Sequence, residues 1–133
     1  MIRPTDARAA PALRLLVADD DPEMRSWLKL ALRPLAATLV DVADGVDLID
    51  HLSIDGAFDA VITDVRMPGP DGLKVVAMAR TAGLHTPILV ITAFPDPSVR
   101  TLVARMPRTA LLAKPFELDE LRAALRDLVA GAA

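Results

Sequence analysis

The sequence has no cysteine and only two histidines. Without cysteine the chain can form no disulfide, no thiolate zinc site and no cysteine nucleophile, and two isolated histidines cannot build a histidine-rich metal site. Any metal ion would therefore bind to oxygen ligands. The formal net charge is −3 at pH 7, and lysine and arginine form no cluster of the kind that binds nucleic-acid phosphates. We expect no direct contact with nucleic acid.

Long apolar runs are also missing. No stretch approaches the roughly 20 residues of a membrane-spanning helix, and the amino terminus lacks the apolar centre of a secretory signal. These absences predict a cytoplasmic protein with no membrane partner. The 133 residues are 53% hydrophobic and 25% charged, which suits one domain with a core. We expect a flexible N-terminal arm over residues 1–12, a domain over 13–130 and a short C-terminal tail over 131–133.

Strand and helix patterns alternate along the chain. Short apolar runs predict five strands, at about 13–18, 37–42, 59–63, 87–92 and 110–113. Helical patterns lie between and after them, at about 22–33, 46–52, 73–82, 96–106 and 118–131. This alternation predicts an α/β fold, a doubly wound parallel sheet of five strands covered by five helices on its two faces.

Polar side chains stand at the ends of four of these predicted strands. They are Asp19, Asp20 and Asp21 after the first strand, Asp64 after the third, Thr92 after the fourth and Lys114 after the fifth. The carboxyl ends of parallel strands meet at one edge of a sheet, where ligands collect. We therefore expect these residues to converge on one pocket.

Clustered carboxylates predict a cation and a phosphate. Two like charges about 4 Å apart repel by about 4 kcal/mol at an effective dielectric of roughly 20, so the acids need a cation between them. Mg²⁺ suits oxygen ligands and leaves room for a phosphate oxygen. Lys114 could then supply a second positive charge and Thr92 a hydrogen bond. Asp64 would be the nucleophile that forms an aspartyl phosphate.

The spaced motifs resemble the receiver domain of bacterial two-component response regulators, over nearly the whole chain from Leu13 to Val129. The matching motifs are the acidic pair Asp19 and Asp20, the D-x-x-M-P-x-x-D-G segment from Asp64 to Gly72, Thr92 before Ala93, and the run Lys114, Pro115, Phe116. The resemblance implies a flavodoxin-like fold. It further implies a phosphoprotein of a two-component phosphorelay, with a histidine kinase or histidine phosphotransfer protein as phosphoryl donor and an effector domain or protein as output partner.

The resemblance also implies a role for each site residue. Asp64 would be the phosphoacceptor. Mg²⁺ would be held by Asp20, Asp64 and the backbone carbonyl of Arg66, with Asp19 acting through water. Thr92 and Lys114 would stabilise the phosphoryl group, and the peptide bond before Pro115 would be cis. Such a domain is no enzyme in the usual sense, since it catalyses only its own aspartyl phosphorylation and dephosphorylation.

Two positions depart from the family pattern. Leu111 stands three residues before Lys114, where the family usually has an aromatic switch residue, and 106–110 replaces the common Gly-Ala turn. We expect phosphorylation to be retained and its transmission to differ. The fourth helix, fifth strand and fifth helix could form a homodimer; they carry Arg100, Arg105, Arg122 and Arg126 opposite Asp119, Glu120 and Asp127.

Several alternatives stay open. The chain could be a degenerate receiver that binds partners without phosphorylation, or a phosphate sink without conformational output. A phosphatase of the haloacid dehalogenase type would use Asp19 as nucleophile and Asp21 as acid, but Pro22 and Glu23 do not fit that motif. The chain could act alone or belong to a longer hybrid kinase or transcription factor.

Simpler interpretations apply to individual residues. Asp21 and the Asp71–Gly72 pair suit helix caps and turns. Trp27 is expected to cover the core. His51 and His85 are expected on the surface without a role.

Overall fold

The computed structural model describes residues 13–54 and 56–131. The predicted arm over 1–12 and residues 132–133 of the predicted tail lie outside the described residues, and Gly131 is the last residue of the final helix. In the described part of the chain, no helix has the length and apolar character needed to cross a membrane.

The five predicted strands form one parallel sheet. They are β1 (Leu13–Ala18), β2 (Ala36–Val42), β3 (Ala60–Asp64), β4 (Ile88–Thr92) and β5 (Thr109–Ala113). Their order is β2-β1-β3-β4-β5, which is the strand order of the flavodoxin-like fold that the resemblance implies. Chain order reverses between β1 and β3, so this pair of strands marks the point where a ligand is expected at the carboxyl edge.

Five α-helices connect and cover the strands. They are α1 (Pro22–Leu32), α2 (Gly45–Leu52), α3 (Gly72–Thr81), α4 (Pro97–Arg105) and α5 (Leu118–Gly131), with a short 3-10 turn at Arg33–Leu35. One buried cluster joins α2, α3 and α4 to the sheet, and a second joins α1 and α5 to its other face. Strands β3 and β4 are buried along their whole length, which explains why their sequences are continuous apolar runs.

Aspartates cap four of the helices at their amino ends. The carboxylates of Asp21, Asp44, Asp71 and Asp96 each accept a hydrogen bond from a backbone N–H in the first turn of the following helix. The caps predicted at Asp21 and Asp71 are therefore confirmed. Because each cap follows a strand by only a few residues, it fixes a helix start close to the carboxyl edge of the sheet.

One surface expectation needs correction. Trp27 does not cover the core: its side chain is 38% exposed, and its ring lies 5.7 Å from the ring of Phe116, because this side of α1 faces the loop after β5. Arg122, one of the arginines named for a possible dimer surface, donates from its guanidinium to the carbonyl of Ala31 at 3.0 Å. A carbonyl near the end of α1 is an orphan acceptor that such a cation satisfies.

Candidate functional site

The acidic loop after β1 is held from both sides. Asp19 is fully buried, and its Oδ1 accepts the backbone N–H of Asp21 at 3.0 Å. The Arg25 guanidinium donates to the backbone carbonyl of Asp19 at 2.8 Å and pairs with Asp41 at 3.3 Å. Asp20, between these anchored residues, has an exposed side chain. The loop thus presents one buried and one open carboxylate.

Asp64 ends β3 with its carboxylate fixed in place. Its Oδ1 accepts the backbone N–H of Val65 at 2.7 Å and that of Arg66 at 3.4 Å. The hydroxyl of Thr63 donates to the Asp64 carbonyl at 2.9 Å. Gly72 donates its N–H to the Val65 carbonyl at 2.8 Å, which closes the loop against the strand end. The second carboxylate oxygen, Oδ2, is left pointing toward the other strand ends.

Lys114 joins two of the acids. Its Nζ lies 3.2 Å from Oδ2 of Asp19 and 3.2 Å from Oδ2 of Asp64. Its backbone N–H donates to the carbonyl of Thr92 at 2.7 Å, and the Lys114–Pro115 peptide bond is cis, the geometry that the family resemblance implies. Asp64 and Asp19 lie 50 and 95 positions before Lys114 in the chain, yet both carboxylates contact its ammonium group.

Burial and charge shift the pKa values of this cluster. Burial raises the pKa of Asp19, and the negative charge of Asp64 adds to the rise, while the backbone N–H of Asp21 and the ammonium of Lys114 oppose it. Burial alone would lower the pKa of Lys114, but the charges and hydrogen bonds of Asp19 and Asp64 outweigh it, so that pKa is raised. Lys114 therefore stays an ammonium at neutral pH.

The donor set fits a hard divalent cation. One carboxylate oxygen from each of Asp19, Asp20 and Asp64 can be chosen so that all three lie within 4.8 Å of one another. All three donors are oxygens with negative charge, and Asp20 is open to solvent. Mg²⁺ prefers such ligands and keeps several of its waters. The residues present therefore fit the magnesium ion that the sequence suggested.

The remaining predicted residues lie around this cluster. Thr92 ends β4, next to β3 in the sheet, and its buried hydroxyl oxygen accepts the backbone N–H of Phe94 at 3.0 Å. Leu111 lies in β5, partly buried, and packs against the core cluster beneath α2, α3 and α4. The loop before β5 places Arg108 at a φ of 53°, a left-handed conformation that is uncommon for a residue other than glycine.

Sequence reasoning missed one pair of residues beside the site. The guanidinium carbon of Arg66 lies 4.9 Å from the ring centroid of Phe94. The family resemblance gives Arg66 a role only through its backbone carbonyl, and the sequence pattern gives Phe94 none. The only signal in the sequence is that an aromatic residue, Phe94, stands two positions after Thr92. Its partner Arg66 lies 28 positions earlier in the chain, and no local pattern connects the two residues.

Comparison with known proteins identifies the class. The family model of the response regulator receiver domain matches residues 15–126, and the chain belongs to this family. It is 38% identical over 117 residues to the transcriptional regulatory protein TctD of Salmonella typhimurium, covering 88% of this chain and 52% of that protein. It is 40% identical over 119 residues to the transcriptional regulatory protein TcrA of Mycobacterium tuberculosis, covering 87% and 46%. The chain thus spans about half the length of these relatives.

A solved structure has a similar fold. The receiver domain of the sensor histidine kinase PA1611 from Pseudomonas aeruginosa is 26% identical, with a TM-score of 0.77, covering 90% of this chain and 98% of that chain. That structure has a magnesium ion coordinated in its active-site cleft.

Proposed function

We propose that this protein accepts a phosphoryl group on Asp64 as one step of a two-component phosphorelay. The observation that carries the proposal is the convergence of the carboxylates of Asp19, Asp20 and Asp64, two of which, Asp19 and Asp64, also share the ammonium of Lys114. A structural salt bridge would need one acid for one lysine. Three acids and a lysine at the carboxyl edge of a parallel sheet are suited to a cation and a phosphoryl group.

The side chains divide the chemistry among them. Oδ2 of Asp64 attacks the phosphorus of the donor, the bond from phosphorus to the donor breaks, and the donor keeps the electron pair. Lys114 and the hydroxyl of Thr92 would hold the transferred phosphoryl oxygens. Mg²⁺, when bound by Asp20, Asp64 and the carbonyl of Arg66, with Asp19 acting through water, would supply positive charge for those oxygens.

Family membership supports a proposal for the partners and the output. We propose a histidine kinase or histidine phosphotransfer protein as donor and an effector domain or protein as recipient of the signal, in the cytoplasm. The domain would catalyse only its own phosphorylation and dephosphorylation. A homodimer through α4, β5 and α5 stays a proposal. Arg122 is not counted among its contacts, because its guanidinium is hydrogen-bonded to α1 of the same chain.

The test is the intact mass of the protein after incubation with Mg²⁺ and acetyl phosphate. We expect one added phosphoryl group on the wild type and none on Asp64→Asn. Asp71→Asn is the matched control, because it removes an acid seven positions along the chain while asparagine still caps α3. Full labelling of Asp64→Asn would refute the site.

A degenerate receiver is the second candidate, and Leu111 is the observation that favours it. A leucine packed in the core cannot make the rotation expected of an aromatic switch residue. A wild type that folds but takes up no phosphoryl group with Mg²⁺ would make a phosphorylation-independent interaction module the better interpretation. The phosphatase alternative loses support because the Asp21 carboxylate caps α1 through the N–H of Glu23.

A further inference from the structure

Arg66 and Phe94 connect the two loops that flank the proposed phosphoacceptor. Arg66 follows Asp64 by two residues and Phe94 follows Thr92 by two residues. The guanidinium carbon is 4.9 Å from the ring centroid, within the roughly 6 Å of a cation–π contact. Phe94 is 60% exposed, so burial of the ring does not explain this arrangement.

Both partners are anchored at the reacting groups. The backbone N–H of Arg66 points to Oδ1 of Asp64 at 3.4 Å, and that of Phe94 donates to the hydroxyl oxygen of Thr92 at 3.0 Å. Because β3 and β4 are neighbours in the sheet, the Arg66–Phe94 contact spans the opening between Asp64 and Thr92.

A carboxylate lies near the same guanidinium. The pKa of Asp96 is lowered mainly by the hydroxyl of Ser98 and the N–H of Val99, and the positive charge of Arg66 contributes a smaller part. The Arg66 guanidinium is thus placed against the aromatic ring and lies within electrostatic range of an acid from the loop after β4. An exposed arginine without such neighbours would sample many rotamers.

The charge distribution of the site suggests a role for the Arg66 guanidinium. Three carboxylates lie together, and the ammonium of Lys114 is already shared by two of them. Mg²⁺, when bound, would offset the remaining negative charge, so the cluster with its metal would give an anionic phosphodonor little net attraction. A further cation at the opening raises the local concentration of the anion, and a guanidinium can donate two parallel hydrogen bonds to phosphate oxygens.

We propose that the Arg66 side chain binds the phosphoryl group of the incoming donor at the opening of the site, and that Phe94 is the positioning residue that holds it there. This inference rests on the proposed function and adds to it a residue that selects anionic phosphodonors. With acetyl phosphate, an oxygen of Asp64 bonds to phosphorus and the phosphorus–oxygen bond to the acetyl group breaks, releasing acetate. Arg66 keeps its proton throughout.

The experiment compares labelling rates by acetyl phosphate, followed by intact mass at several donor and salt concentrations. Arg66→Ala should lower the rate at subsaturating donor by about fivefold or more and weaken its salt dependence. Phe94→Leu, which keeps apolar bulk without the ring quadrupole, should lower it by about two- to fivefold. Arg66→Lys should fall between Arg66→Ala and the wild type. The substitutions at Arg66 and Phe94 should act mainly by raising the donor concentration that gives the half-maximal labelling rate.

The double variant tests whether Phe94 acts by positioning Arg66 or whether the two residues act independently. If Phe94 acts through Arg66, then Arg66→Ala with Phe94→Leu should be no slower than Arg66→Ala alone. Arg126→Ala is the matched control, since it removes an exposed arginine from α5, and it should label at the wild-type rate. Urea midpoints equal to that of the wild type would show that the exposed positions leave folding intact.

A second readout does not depend on turnover. Trp27 is the single tryptophan of the sequence and lines a groove of about 210 Å³ with Lys114, so its fluorescence can report beryllofluoride binding in the presence of Mg²⁺. Arg66→Ala should weaken that binding by about fivefold or more. Rates and affinities of Arg66→Ala equal to those of Arg126→Ala would overturn the inference. A wild type that takes no phosphoryl group on Asp64 would instead overturn the proposed function.

Discussion

Gly72 lies against the backbone of Asp64 at the first turn of α3. A Cβ at this position would collide with the Asp64 carbonyl oxygen and lie 3.0 Å from the Thr63 hydroxyl oxygen. The N–H of Gly72 also donates to Val65 at 2.8 Å. The orientation of Asp64 therefore depends on its own hydrogen bonds and also on glycine at position 72, eight residues away, where any side chain would collide with it.

Gly72→Ala should destabilise the protein by about 1–3 kcal/mol, because the added methyl group meets backbone that cannot rotate away. Urea denaturation of the metal-free protein measures the loss. Gly131→Ala is the control: a Cβ there has no atom within 4 Å, so stability should not fall. Equal midpoints for the two variants would contradict the steric argument.

Arg14 ties the start of β1 to the loop before β3. Its guanidinium donates to both carboxylate oxygens of Asp59, at 2.9 and 3.3 Å, and to the carbonyl of Gly56 at 2.8 Å. The backbone N–H of Arg14 also donates to Asp59 at 2.8 Å. These bonds fix the register in which the central strands enter the sheet, far from the carboxyl edge that carries the site.

The Arg14–Asp59 ion pair predicts a contribution to the stability of the fold that depends on pH. Hydrogen bonds from the Arg14 side chain, then from its backbone N–H, lower the pKa of Asp59 below its usual range. A lowered carboxyl pKa contributes stability that is fully present above the unfolded pKa of about 3.9 and is lost as pH falls through the folded value. Asp59→Asn should therefore have a lower urea midpoint than the wild type at pH 7.

The difference should shrink as pH falls below about 3.9. A series of urea titrations between neutral and acid pH measures it, with Asp127→Asn on the exposed side of α5 as control. A gap between Asp59→Asn and wild type that stays constant to the lowest pH would mean that the carboxylate charge is not its source.

At the scale of the whole molecule, the site exists because separate segments meet. Asp19 and Asp20 follow β1, Asp64 ends β3, and Lys114 follows β5. Three carboxylates held together repel one another, so the fold carries an electrostatic cost at this edge that a divalent cation relieves. Binding of Mg²⁺ should therefore be coupled to the stability of the whole domain.

Adding Mg²⁺ should stabilise the protein by about 2.7 kcal/mol at a concentration 100 times its Kd. Thermal unfolding with and without Mg²⁺ measures the shift. Asp20→Ala should lose most of it, because Asp20 is the open ligand. Asp21→Ala, one residue along, should lower Tm by removal of the α1 cap yet keep the Mg²⁺ response. An undiminished response in Asp20→Ala would contradict the proposed ligand set.

Local pattern was sufficient to predict the strands and helices and to place most residues of the candidate site at the ends of strands. The central strands are continuous apolar runs because both faces are covered, and the aspartate caps at Asp21 and Asp71 follow from short-range hydrogen bonding. Pattern failed for Trp27, whose helical spacing matches the buried residues of α1 although 38% of it is exposed. Spacing within one helix cannot tell which flank meets the loop after β5.

The sequence by itself determined the alternation of strands and helices, the acids and the lysine at the strand ends, and hence the resemblance to receiver domains, because periodicity and short motifs are local properties of the chain. Only the tertiary structure decided that Lys114 lies 3.2 Å from both Asp19 and Asp64, that Gly72 must lack a side chain, and that Arg66 stacks on Phe94. These contacts join residues from different loops, and their geometry depends on how the helices and strands pack in three dimensions.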